Sequence, residues 1–245
     1  MQKVSGSRNL VSQEMPECLI FDLFGTLVDY EAGRTSQDFS RSFKKAAKLG
    51  CAIGYEDYIQ VWDSAFLKMK QASAPDSSEF HLSEVCDLVV GELRLDASRT
   101  EKEQLARQYM EDWSALVSPV PGASGLLKRL SKHYRLALIS NTHYPPMVHA
   151  LLDAMALTGL FEVVTLSVDV GWAKPHPLIF ELTLEKLGLT AEQAIYIGDS
   201  YERDYKGARS VGMDCRLIGR HARVPRDKQL LNILDLAISF ETARK

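Results

Sequence analysis

Cysteine is scarce in this chain: the four residues Cys18, Cys51, Cys86 and Cys215 lie far apart and form no C-x-x-C pair. That spacing removes zinc knuckles and redox dithiols from the candidate chemistries and leaves four small apolar side chains in a reducing compartment. No apolar run is long enough to span a bilayer, and the first fifteen residues lack the apolar centre of a signal peptide. The expectation is a cytoplasmic protein whose residues 1–16 form a flexible terminus. Excess positive charge is also missing. A formal net charge of -3 and a pI of about 6.1 argue against nucleic acid and membrane surfaces as partners. The local basic group of Arg216, Arg220, His221, Arg223 and Arg226 is read as solvated surface. Repeats, low-complexity segments and a glycine-rich nucleotide loop are absent, and Gly198 serves a turn.

What is present is a soluble globular composition, 46% hydrophobic and 25% charged over 245 residues, enough for one large or two modest domains. The informative stretch is Cys18-Leu19-Ile20-Phe21-Asp22-Leu23-Phe24-Gly25-Thr26-Leu27-Val28-Asp29. Leu19–Phe21 reads as a buried strand of a parallel sheet, which puts Asp22 at its carboxyl end, where open α/β sheets bind ligands. Gly25 permits a sharp turn and close backbone approach, and Thr26 offers a hydroxyl beside the carboxylate. Further strands are expected at Arg135–Ser140, Phe161–Leu166, Gln193–Ile197 and Asp214–Ile218, alternating with helices at Ala123–Lys132, from Pro145, at Pro177–Leu187 and at Glu202–Val211. A short strand and helix are expected within Leu230–Phe240. From Thr35 to Trp113 the apolar residues recur at helical spacing only, with Ala72–Ser78 as a loop and Asp96-Ala97-Ser98 as a cap region. The fold class is therefore α/β: a doubly wound parallel sheet, residues 17–33 and 115–245, with an inserted helical domain at 34–114.

Three polar groups follow later apolar runs: Ser140-Asn141, Lys174 in Gly171-Trp172-Ala173-Lys174-Pro175, and Asp199 in Gly198-Asp199-Ser200-Tyr201-Glu202-Arg203-Asp204. With Asp22 first, their order resembles that of the haloacid dehalogenase superfamily of hydrolases. The resemblance implies a Rossmann-like core, an α-helical cap that selects the substrate, and hinges at Asp29–Arg34 and Val117–Gly122. It also implies an aspartyl intermediate at Asp22. Asp22, Asp199 and the backbone carbonyl of Phe24 would hold magnesium, with Asp204 and Ser200 behind them. Ser140, Asn141, Phe24 and Gly25 would contact the substrate, and Lys174, with Thr26 beside Asp22, would complete the catalytic group, the lysine cancelling charge on the transferred group. The expected partner is a small anionic molecule, bound by a monomer or a homodimer.

One position departs from the phosphatase pattern. Phe24 stands where phosphatases of the superfamily carry a second aspartate, the group that protonates the departing alkoxide. Halide leaves without a proton, so Phe24 favours a metal-independent 2-haloacid dehalogenase. The fourth motif opposes that, because Asp199 facing Asp22 without a cation would suppress the nucleophile. A magnesium-dependent phosphatase is the leading expectation, a 2-haloacid dehalogenase or related carbon-centred hydrolase the second, and a weakly active or binding protein on the same fold the third. For a phosphatase, His143 and His176 are candidate replacement acids.

Overall fold

Cys18–Phe21 forms strand β1, with neighbours on both edges, and all four residues are fully buried. A strand covered on both faces needs apolar side chains at every position, which is why the run does not alternate with polar residues. The computed structural model describes residues 15–31 and 36–241. Residues 1–14 of the expected flexible terminus, residues 32–34 of the expected hinge and residue 35 of the expected helical insertion lie outside that range.

The insertion is entered and left through a small antiparallel ribbon, β2 (Val28–Asp29) against β3 (Ser118–Pro119). Asp29, expected in a linker, is thus part of a paired strand. Between them run helices α1 (Ser40–Lys48), α2 (Tyr55–Ser73), α3 (Leu82–Glu92) and α4 (Arg99–Trp113). Ser98 caps α4 as its sequence foretells, its hydroxyl accepting from the Glu101 N–H while Glu101 accepts from the Ser98 N–H. These helices enclose an apolar core of their own, in which Trp62 stacks on Tyr109 at 3.7 Å and Tyr109 on Phe39 at 4.8 Å.

The remaining elements are α5 (Ala123–Leu130), β4 (Arg135–Ser140), α6 (Pro145–Ala154), β5 (Val163–Leu166), α7 (Ser167–Val170), α8 (Pro177–Leu187), β6 (Ala194–Gly198), α9 (Gly207–Ser210), β7 (Asp214–Ile218) and β8 (Gln229–Leu230). A wide π-type turn, Tyr201–Lys206, precedes α9, so the single helix expected over Glu202–Val211 is split. After β8 the chain forms short 3-10 and π-type turns in place of the expected helix.

The strands β5-β4-β1-β6-β7-β8 make one parallel sheet in that order. Successive side chains of β1 point to opposite faces: Leu19 and Phe21 pack with α5 and α6, Cys18 and Ile20 with α8 and α9. Winding runs outward in both directions from β1, so its carboxyl end is the switch point where such sheets hold ligands. Asp22 follows β1, Ser140 ends β4, and Asp199 follows β6. Strand polarity thereby brings together groups separated by most of the sequence.

Candidate active site

Asp22 leaves β1 with its N–H donating to the Ile197 carbonyl at 2.8 Å, which ties this carboxylate's backbone to the neighbouring strand. The next residues close a tight turn, with the N–H groups of Leu27 and Val28 both donating to the Leu23 carbonyl. Gly25 has φ +84°, and a Cβ there would lie 2.4 Å from Asp199 Oδ2. Only glycine lets the turn and the second carboxylate approach so closely. Gly198 serves the same end, since a Cβ there would lie 2.5 Å from Asp204 Cγ.

Asp22, Asp199 and Asp204 each bring a carboxylate oxygen within 4.8 Å of the others. The buried Lys174 ammonium donates to Asp22 Oδ1 and Asp204 Oδ1, each at 2.7 Å, and to the Tyr196 hydroxyl at 2.8 Å. Burial would lower the affinity of Lys174 for its proton, but Asp204 and Asp22 outweigh it and hold the ammonium above the usual lysine range. One lysine does not neutralise three carboxylates. Burial pushes Asp22 up to about 7 against the pull of Lys174, with Asp204 and Asp199 adding to the rise. Asp199 is raised too, by burial and then by Asp204. Its buried Oδ1 has no hydrogen-bond partner. An orphaned carboxylate oxygen beside two others is a donor set suited to a hard divalent cation.

Of the other sequence candidates, Asn141 lines the cavity but is already engaged: its side-chain amide donates to the Lys174 carbonyl at 3.0 Å, and its oxygen accepts from the Lys174 N–H at 2.8 Å. Asn141 therefore holds the lysine loop. Ser140 is buried with an unpartnered hydroxyl, and so is Thr26. Neither lines the cavity. Ser200 accepts from the Arg203 N–H, while its own N–H donates to Asp204 at 2.8 Å, fixing that carboxylate. His176 is not brought to the site. Its ring accepts from the Leu178 N–H at the start of α8 and stacks on Trp172 at 4.2 Å. His143 does line the cavity, as does Phe24. The Phe24 ring meets Tyr30 at 5.5 Å and Trp113 of α4 at 5.8 Å, joining the sheet to the helical insertion.

The cavity above Asp22 holds about 700 Å³ and is walled by both parts of the chain. Phe66, Phe80, Tyr109 and Trp113 give it aromatic sides, and Asp63, Lys70, Glu79 and Arg203 add charge. Glu202 and Lys206 form an exposed pair at 2.7 Å, but the wide turn swings Arg203 inward to donate to Tyr30. Glu79 carried no sequence signal at all. The segment around it clips onto the sheet side: Ala173 N–H donates to the Ser77 carbonyl at 2.9 Å, Glu79 N–H to Gly171 at 3.0 Å, and Leu82 N–H to His143 at 2.9 Å.

A doubly wound parallel sheet with a carboxylate and lysine centre at its switch point, roofed by an inserted helical layer, defines a Rossmann-like α/β protein with an inserted helical domain. Residues 16–212 match the sequence model of the haloacid dehalogenase-like hydrolases, and the chain belongs to that family. Similar proteins include the haloacid dehalogenase-like hydrolase domain-containing protein 3 of Bos taurus, 35% identical over 117 residues that cover 46% of each chain. The chain thus spans about half the length of that relative. The ribulose-1,5-bisphosphate 5-phosphatase of Halopiger xanaduensis is 24% identical over 82% of this chain and 83% of its own. Among solved structures, a 2-haloacid dehalogenase from Pseudomonas syringae superposes with a TM-score of 0.70 at 21% identity, covering 94% of this chain and all of that one. That likeness concerns the fold. No helix among the described residues is long and apolar enough to cross a membrane.

Proposed function

We propose that the protein is a magnesium-dependent phosphatase acting on a small phosphorylated metabolite through an aspartyl intermediate at Asp22. The observation that carries this reading is the charge imbalance at the switch point, three clustered carboxylates against one buried lysine, with Asp199 Oδ1 unpartnered. Asp22, Asp199 and the Phe24 carbonyl would hold the ion, with Asp204 behind them. Bound there, magnesium would neutralise the acidic group and draw a phosphoryl oxygen toward the nucleophile.

The chain's own residues supply the rest. Asp22 attacks the phosphorus while its other interactions, with Lys174 and the turn, hold its direction. Lys174 is held by Asp204, Tyr196 and the Asn141 clamp on its backbone, so its charge stays beside the group in transfer. The helical roof excludes water and supplies the substrate-selecting wall, with the paired ribbon β2–β3 as the pivot between roof and sheet. A cavity of about 700 Å³ accommodates a carbon skeleton well beyond the phosphoryl group.

Phe24 favours a second reading, displacement of halide at carbon, because no acidic side chain occupies that position. One paired assay separates the two: phosphate release from a panel of phosphomonoesters and halide release from 2-haloacids, each with and without magnesium, using Asp22→Asn as the blank. Magnesium-dependent phosphate release supports the phosphatase; metal-independent halide release replaces it with the dehalogenase.

A further inference from the structure

The absent second aspartate leaves the alkoxide leaving group without a proton donor, and the cavity contains a group able to fill that role. His143 follows β4 in the loop beyond Ser140, and its Nδ1 lies 2.9 Å from Glu79 Oε1 and 3.2 Å from the Phe80 carbonyl. Both neighbours are acceptors, so Nδ1 must carry a hydrogen, and the tautomer is settled without reference to substrate. Nε2, the other ring nitrogen, has no protein partner among the described residues. The ring is held flat by Phe80, stacked at 4.1 Å with 14° between planes.

Glu79 is itself positioned from below. Its side chain is only 4% exposed, and Oε2 accepts from the Ser167 hydroxyl at 2.5 Å. The same hydroxyl accepts from the Thr142 N–H at 2.9 Å, one residue before His143. Burial alone would raise the Glu79 carboxyl, but the bonds from His143 and Ser167 overcome it and hold it below the usual range.

We propose that His143 is the general acid and base of the reaction, and that Glu79, delivered by the helical insertion, is its positioning residue. The inference rests on the phosphatase reading. In the first step an Asp22 oxygen bonds to phosphorus, the phosphorus to alkoxide bond breaks, and His143 Nε2–H gives its proton to the departing oxygen. In the second, neutral Nε2 takes a proton from the water whose oxygen attacks phosphorus. The bond to Asp22 then breaks, which returns the carboxylate, inorganic phosphate and the imidazolium. Glu79 reaches His143 from residues 77–82, a segment of the helical insertion clipped to the sheet side, so the acid is completed by a residue from outside the sheet.

The test compares an alkyl ester, glycerol 1-phosphate, with p-nitrophenyl phosphate, whose leaving group needs no proton. In rapid-quench measurements of the first turnover, His143→Gln should slow release of the alcohol from the alkyl ester by about a hundredfold or more and release of p-nitrophenol from the aryl ester by less than about fivefold. Glu79→Gln, which keeps shape and hydrogen bonding, should lower kcat on the alkyl ester by about tenfold or more with KM within about twofold. Nitrogen-15 spectra of the wild-type imidazole should show the Nδ1–H tautomer. Equal losses on both esters, no loss on the alkyl ester, or an Nε2–H tautomer would overturn the proposal while leaving the phosphatase reading intact. A wild-type protein releasing no phosphate from either ester would end both.

Discussion

Lys174→Met removes the one ammonium from the acidic centre while keeping most of the aliphatic stem, so its effect isolates charge from packing. In the wild type the ammonium meets Asp22 and Asp204 at 2.7 Å each and Tyr196 at 2.8 Å, with Lys174 only 4% exposed. Deleting one member of a buried, hydrogen-bonded ion pair costs about 3–5 kcal/mol, because the partner is left uncompensated. At about 2–4 °C per kcal/mol for a chain of this size, Tm should fall by about 6–20 °C. The loss should depend on pH, and the sign follows from Asp22. Its folded-state value of about 7 lies above the ordinary 3.8, so the folded chain holds the extra proton between them. Stability from that group is fully present below about 4 and is lost as pH rises through about 7. Removing Lys174 takes away the interaction that lowers Asp22, so the proton binds more tightly in the variant. The deficit should be largest at pH 8 and shrink toward pH 5. Thermal unfolding followed by circular dichroism at both pH values, without divalent ions, measures it. Adding Asp204→Asn should recover part of the loss, because one uncompensated charge is then removed. A Tm within about 2 °C of wild type at pH 8, or a deficit independent of pH, would refute the account of Lys174 as the counter-charge of this centre.

Magnesium should raise wild-type Tm more at pH 8 than at pH 6, since Asp22 must give up its proton to bind an ion, and affinity should fall about tenfold per pH unit below 7; equal shifts at both pH values contradict the shared-ion reading. Gly198→Ala would drive a methyl to 2.5 Å from Asp204 Cγ, so kcat should drop by about tenfold or more and the magnesium shift in Tm should be lost. Asp112→Asn weakens the buried carboxylate that accepts from Arg41 Nε at 2.7 Å and from the Ser42 N–H at 2.8 Å. It should cost about 1–3 kcal/mol by chemical denaturation while leaving the acidic centre in place.

Much of this protein is legible in its sequence, and the reason is local. Four buried residues from Cys18 to Phe21 announce a central strand because burial on both faces demands an unbroken apolar run. Ser98 and Glu101 mark the start of α4 through bonds made within one turn. Asp22, Asn141 and Asp199 could be placed at one end of the sheet from strand polarity alone, since parallel strands carry all their carboxyl ends to the same edge. Roles beyond placement were not local. Asn141 and His176 look alike as polar loop residues, yet one clamps the lysine loop and the other caps a helix.

The sequence by itself determined the parallel α/β core and the order of its polar strand ends, because these depend on periodicity and on short-range turn chemistry, and it pointed to the family through the resemblance of its motifs. Tertiary structure alone decided that Arg203 turns inward, that Phe24 packs against Trp113, and that Glu79 meets Ser167 across 88 positions of chain. Contacts of that kind are set by how the helical insertion folds back over the sheet, and no spacing within a single segment encodes where two distant surfaces will meet.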